Sequence, residues 1–106
     1  MKSIKSNKQF NELVSSGKPF VLDFYADWCG PCQTLLPTVK KLAGEYSDKV
    51  EILKVNIDNQ RDLAQKFKVK SIPSIFFLNG NQVKDKINGL TSESELRKRI
   101  NKLISN

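Results

Sequence analysis

A chain of 106 residues is long enough for one hydrophobic core and too short for two, so we expect a single domain over residues 1–106. A hydrophobic content of 39% excludes a disordered chain, and no apolar run has the length of a signal peptide or a membrane span. The net charge of +7 raises the question of an anionic partner, but the basic residues are scattered. We therefore expect a cytoplasmic protein that binds neither membranes nor nucleic acid. We also expect a monomer, although these features do not determine the oligomeric state.

The first half of the chain alternates helix and strand signals. Ser6 and Gln9 form a capping-box pattern that opens a helix, and Gly17 lies where that helix should end. The nearly continuous apolar run Phe20–Ala26 predicts a strand buried on both faces. The following apolar residues recur at helical spacing, so a second helix should begin close to the cysteines, with a kink at Pro37.

The second half predicts two further strand regions and two helices. Val50–Ile57 is typical of a strand, and the apolar positions within Leu63–Phe67 indicate a short helix. A second capping-box pattern, Ser92 with Glu95, opens the last helix. Asn79-Gly80 between two apolar runs predicts a tight antiparallel hairpin. The residues thus indicate an α/β protein with a mixed sheet covered on both faces.

The two cysteines, Cys29 and Cys32, are separated by only two residues. A structural disulfide that closes so short a loop constrains the unfolded chain very little. A zinc site would need further ligands, and the chain has no histidine and no other cysteine, so only carboxylates or a second copy could complete it. Reversible redox chemistry requires close spacing, because one sulfur attacks a disulfide and the other must reach back to release the product. The spacing favours redox chemistry.

The place of the pair on a helix start also favours one order of attack. Unpaired N–H groups and the positive end of the helix dipole stabilise a thiolate at the first position. Cys29 is therefore the expected nucleophile. Cys32, one turn further into the helix, should be less exposed and act as the resolving thiol.

The segment Trp28-Cys29-Gly30-Pro31-Cys32 resembles the active-site signature of thioredoxins. The resemblance extends over essentially the whole chain, and it is also carried by Asp23, Pro37, Lys54-Val55-Asn56-Ile57-Asp58, Ile72-Pro73, Asn79-Gly80 and Gly89. It implies the thioredoxin fold, a mixed sheet of five strands flanked by four helices in the order βαβαβαββα.

Asp23 is a carboxylate within an otherwise apolar strand. Burial without a partner would raise its pKa, whereas a strand end that reaches water would leave it solvated. The resemblance favours burial, with Asp23 helping to deprotonate the resolving thiol. It also places Lys54 near this aspartate, although an outward-facing strand lysine fits the sequence nearly as well. Lys54 and Pro37 are thus expected supporting residues.

Pro73 begins a strand, where a trans proline is the ordinary form. The resemblance instead implies a cis Ile72-Pro73 bond beside the active-site sulfurs. It further implies a shallow apolar groove for protein substrates, outlined by Trp28, Gly30, Pro31, Ile57, Ile72, Pro73 and Gly89. Trp28 could also be an ordinary core residue, but its place immediately before a helix-start nucleophile favours a contact surface.

Gly30 and Pro31 carry no charge that would stabilise a thiolate, so the sequence favours a reductant over an oxidant. By resemblance, the chain is a protein-disulfide reductase that binds no cofactor or metal. It would receive electrons from NADPH through a flavin-containing thioredoxin reductase, and its substrates would be of the ribonucleotide reductase, peroxiredoxin and methionine sulfoxide reductase type. The alternatives are a redox protein of an oxidising compartment and a binding scaffold whose thiols are incidental.

Overall fold

The computed structural model describes residues 1–105, so Asn106, the last residue of the expected domain, lies outside the described residues. Its elements are β1 (Lys2–Ser3), α1 (Asn7–Ser15), β2 (Pro19–Tyr25), α2 (Gly30–Glu45), β3 (Glu51–Asn56), α3 (Arg61–Lys66), β4 (Ser74–Asn79), β5 (Gln82–Asn88) and α4 (Glu93–Ile104). The order βαβαβαββα is confirmed. The residues alone did not indicate β1, because two residues are too few to form a pattern.

The five strands form one mixed sheet in the order β1-β3-β2-β4-β5. β3 pairs in parallel with both β1 and β2, whereas β4 is antiparallel to β2 and to β5. β2 therefore lies at the centre and is buried along its length after Pro19. This burial explains its continuous apolar sequence, since both faces of the strand contact helices.

Two hydrophobic layers cover the sheet. Alternate strand residues such as Val21 and Phe77 pack against α2 and α4, and their neighbours, such as Leu22 and Phe76, pack against α1 and α3. The pleat of the strands produces this division, because successive side chains point to opposite faces. In residues 1–105, no helix has both the length and the apolar character needed to cross a bilayer.

The predicted helix starts and the hairpin are confirmed, with two local differences. Ser6 and Ser92 each accept a backbone N–H three residues on, but neither capping box closes on its cap. Gln9 Oε1 accepts from the Lys5 backbone N–H, one residue before the cap, and the Glu95 carboxylate pairs with Arg99. The hairpin loop is displaced by one residue: Asn79 pairs with Gln82 as the last strand residue, so the loop is residues 80–81. Gly80 takes the left-handed conformation that a tight loop requires, with φ of 61°.

Candidate active site

The cysteine pair lies where the central strand β2 leads into α2. Cys29 is the N-cap of α2, and Gly30 and Pro31 form the exposed start of its first turn. Proline is well suited to a first turn because its missing N–H has no partner to lose there. Cys29 and Cys32 form a disulfide with a Cα–Cα distance of 5.3 Å, so the structure is that of the oxidised pair.

The helix start provides the electrostatic environment that a thiolate at Cys29 needs. The Cys32 backbone N–H donates to Cys29 Sγ at 3.2 Å, and the helix behind it is 16 residues long. Both the N–H group and the helix dipole favour negative charge on this sulfur once the disulfide is reduced. The exposed fraction does not distinguish the two cysteines, since Cys29 is 5% and Cys32 3% exposed. The cap position is therefore the structural distinction between them.

Asp23 is buried, at 1% exposure, which decides between the two interpretations of its sequence position. It is on the face of β2 that carries Val21, the face covered by α2. Its Oδ1 has no hydrogen-bond partner within residues 1–105. Desolvation raises the pKa of Asp23 to about 7, against the smaller lowering effect of the Lys54 ammonium.

Lys54 is the direct neighbour of Asp23 across the parallel β2–β3 pair. It lies on the same face of the sheet, is half-buried, and places its Nζ 5.5 Å from the centre of the Tyr25 ring. The two charged groups form no salt bridge, so the lysine acts on the aspartate through space. The structure thus places Lys54 near Asp23, as the resemblance implied.

The Ile72-Pro73 segment lies against the cysteine pair, and its peptide bond is cis. The Ile72 carbonyl oxygen is 3.8 Å from Cys29 Sγ, a contact that the thiol form of Cys29 could use as a hydrogen bond. The Gly89 backbone N–H donates to the Pro73 carbonyl at 2.7 Å, which ties the end of β5 to this segment. Gly89 has a φ of 86°, a conformation that favours glycine.

Trp28 is 70% exposed beside the disulfide, so the core interpretation of this residue is wrong. Its Nε1 donates to Asp58 Oδ2 at 2.9 Å, and the Asp58 backbone N–H donates to Asn56 Oδ1 at 2.9 Å. Asp58 and Asn56 thereby fix the orientation of the indole. The sequence interpretation assigned neither residue a role, because nothing in the pattern shows that the loop after β3 reaches Trp28.

The other predicted residues lie at different distances from the sulfurs. Ile57 and Ile72 pack on the small cluster that contains both cysteines. Pro37 lies further along α2, on the exposed side of the helix. Leu90, which the sequence did not single out, follows Gly89 and is 56% exposed, so it adds apolar surface at this end of the molecule.

Within residues 1–105, no three His, Cys, Asp or Glu side chains are grouped as metal ligands.

The C-x-x-C disulfide lies at a helix N-terminus that follows the carboxyl end of the central strand. This arrangement defines a dithiol–disulfide oxidoreductase. The Thioredoxin family model matches residues 2–102. The chain therefore belongs to the thioredoxin family, whose members reduce protein disulfides by dithiol–disulfide exchange.

Two relatives and one solved structure illustrate the similarity. A thioredoxin of Rickettsia typhi is 39% identical over 94 residues, which are 89% of this chain and 90% of that protein. Thioredoxin-T of Drosophila melanogaster is 42% identical over 81 residues, which are 76% of this chain but only 52% of that longer protein. The crystal structure of the germline-specific thioredoxin Deadhead of Drosophila melanogaster superposes with a TM-score of 0.87 at 36% identity, covering 98% of this chain and 100% of that one.

Proposed function

We propose that this chain is a general protein-disulfide reductase in which Cys29 attacks the substrate and Cys32 resolves the complex. The observation that carries this assignment is the place of Cys29 at the N-cap of α2, with the Cys32 N–H directed at its sulfur. A thiolate is stabilised at that position and loses this support further into the helix.

The proposed reaction transfers two electrons in two exchanges. The Cys29 thiolate attacks one sulfur of a substrate disulfide, which breaks that bond, forms a mixed disulfide and releases the other substrate sulfur as a thiolate. The Cys32 thiolate then attacks Cys29 Sγ, which releases the second substrate thiolate. The substrate is reduced, and the pair ends as the disulfide seen in this structure.

Asp23 is the proposed acid and base for the resolving step. A carboxyl whose pKa is about 7 exists in both forms near neutral pH, so it can accept and return a proton. Its position on the α2 face of the sheet is compatible with transfer to Cys32, directly or through water. Lys54 keeps the pKa of this carboxyl from rising further.

The substrate would bind in the shallow groove beside the disulfide. The exposed Trp28 ring, the exposed Gly30-Pro31 turn and the half-buried Ile72 present apolar surface next to Cys29, while Pro73 itself is buried. Ile57 packs beneath this surface, and Gly89 holds the Pro73 carbonyl. An extended substrate segment could pair with the backbone preceding Pro73, which adds hydrogen bonds that do not depend on substrate sequence.

The proposed partners follow from the family. Electrons would come from NADPH through a flavin-containing thioredoxin reductase, and the chain itself would hold no cofactor. Substrates would be disulfide forms of ribonucleotide reductases, peroxiredoxins and methionine sulfoxide reductases. We further propose that the chain acts as a single-domain monomer in the cytoplasm.

The first test is the reduction potential of the Cys29–Cys32 pair, measured by equilibration against glutathione and against a stronger dithiol buffer. A general reductase should give a value near about −270 mV, whereas an oxidant or isomerase would lie above about −200 mV. A value in the upper range would refute the proposed direction of electron flow and favour a protein of an oxidising compartment.

A second test separates catalysis from scaffolding. Cys32→Ser should trap a mixed disulfide through Cys29 with a protein substrate, because the resolving sulfur is absent. Cys29→Ser should trap none under the same conditions. If a chain with both serines kept the biological activity of the wild type, the thiols would be incidental and the chain would be a scaffold.

A further inference from the structure

An apolar groove lies on the α1 and α3 side of the sheet, with a volume of about 450 Å³. We call it the lysine groove, and its apolar lining is Phe10, Val14, Phe67, Phe76, Leu78 and Val83. The cysteines belong to the loop and helix on the opposite face of the sheet, so no residue of the proposed active site lines it. Its volume is within the range of small-molecule sites.

The floor of the lysine groove is aromatic and preformed. The Phe67 ring centre is 4.9 Å from that of Phe76 and 5.7 Å from that of Phe10, and the two latter rings are almost fully buried. Val83, on the edge strand β5, is 50% exposed and forms an accessible apolar wall. An apolar ligand could therefore be covered here without rearrangement of the core.

Three lysines lie beside this apolar floor, and two of them, Lys66 and Lys68, line the lysine groove. Lys66 Nζ lies 5.0 Å from the Phe10 ring centre, Lys86 Nζ lies 5.0 Å from the Phe76 ring centre, and Lys68 contributes to the wall. None of these three ammonium groups forms a salt bridge with an acid of residues 1–105. Each is thus free to pair with an anion, while the half-buried Phe67 ring and the exposed Val83 remain available to an apolar body.

We propose that the lysine groove binds a free amphipathic carboxylate, a small molecule with one anionic head and an alkyl or aromatic body. The body would cover Phe67 and Val83, and the carboxylate would accept hydrogen bonds from Lys66 and Lys86. This site takes no part in disulfide reduction, so its test does not depend on the proposed function.

The test is an NMR titration of the oxidised protein with decanoate, kept below its micelle concentration. We expect saturable shifts of backbone amides in α1, α3 and β5, with a Kd of about 1 mM or tighter. Decyltrimethylammonium has the same tail with a cationic head, and it should bind at least about fivefold more weakly because the lysines repel it. Vesicles of phosphatidylglycerol and of phosphatidylcholine form a further arm, because a lipid surface offers similar chemistry.

Matched variants assign the effect to the groove. The pair Lys66→Ala and Lys86→Ala should weaken decanoate binding about tenfold, since two charge-assisted contacts are lost. Lys98→Ala with Lys102→Ala lowers the net charge equally but lies on α4, across the sheet, and should leave binding unchanged. Val83→Asp should weaken binding by charge repulsion, whereas the conservative Val83→Leu should retain it.

Three results would overturn the proposal. The first is the absence of saturable shifts, or shifts confined to the cysteine end of the molecule. The second is equal binding of both head groups or an equal loss in the α4 control, which would indicate unspecific attraction. The third is binding to phosphatidylglycerol vesicles, weakened by Val83→Asp, without binding of free decanoate, which would make the groove a contact for a lipid surface.

Discussion

Replacing Asp23 with asparagine should make the protein more stable at high pH than the wild type. In the folded chain, burial raises the pKa of Asp23 from its ordinary 3.8 to about 7. The folded state therefore holds this proton more tightly than the unfolded state does. The stabilisation from this proton is fully present below about pH 4, and it is lost as the pH rises to about 7.

The magnitude follows from the difference between the two pKa values. The pKa rises by about 3, and each tenfold change in proton affinity is equivalent to about 1.4 kcal/mol. The wild type should thus lose about 4 kcal/mol of unfolding free energy between about pH 4 and about pH 7 through this residue alone. Asp23→Asn has no such proton, so its stability relative to the wild type should increase by the same amount.

The assay is urea unfolding of the oxidised protein at several pH values between about 4 and 8.5, where the disulfide cysteines do not titrate. Asp48→Asn is the matched control, the same chemical change at an exposed residue outside the helices and strands. It retains Asp23 and should keep the wild-type slope. A stability difference between Asp23→Asn and the wild type that stays constant across this range would refute the argument that Asp23 is desolvated.

Lys54→Gln tests the effect of the Lys54 charge on the pKa of Asp23. The Lys54 charge lowers the pKa of Asp23, so its removal should raise that pKa further. The pH-dependent loss of stability should then extend to a higher pH than in the wild type. An unchanged profile would mean that the two groups do not interact.

Three substitutions elsewhere have separate expected outcomes. Trp28→Ala removes the exposed ring beside the disulfide, and kcat/KM for a protein disulfide should fall about tenfold while reduction of a small aromatic disulfide stays unchanged. Phe77→Ala empties a fully buried position under α2 and α4, and urea unfolding should show a loss of about 3–5 kcal/mol. Gly89→Ala forces a side chain into a positive φ, and the same assay should show a loss of about 1 kcal/mol, because an added Cβ meets no atom within 4 Å.

Each of these outcomes has a result that contradicts it. Equal losses toward protein and small disulfides would mean that Trp28 acts on the sulfur chemistry and not on substrate contact. A loss below about 1 kcal/mol for Phe77→Ala would place that ring outside the tightly packed core. A loss above about 3 kcal/mol for Gly89→Ala would require a steric clash that the structure does not contain.

The sequence by itself determined the type of fold and the chemistry. Periodicity is a local property, so the apolar runs and the helix faces specified their elements to within a few residues. The two serine caps were recognisable because their hydrogen bonds reach only three residues along the chain. The cysteine spacing indicated redox chemistry for the same reason, since both sulfurs lie on one helical turn.

Only the tertiary structure decided which side chains surround the cysteine pair. The burial of Asp23 depends on α2 covering β2, and its pairing with Lys54 depends on the parallel register of β2 and β3. The contact of Trp28 with Asp58 joins residues from two different loops. Such contacts join residues distant along the chain, and no local pattern encodes them.

The same distinction applies to the lysine groove. In the sequence the basic residues are scattered, and no local pattern indicated a binding site. The groove exists because α1, α3, β4 and β5 bring their apolar side chains to one face of the sheet, where Lys66 and Lys86 lie over aromatic rings. The sequence supplied the charges and the rings, and only the packing of four elements placed them together.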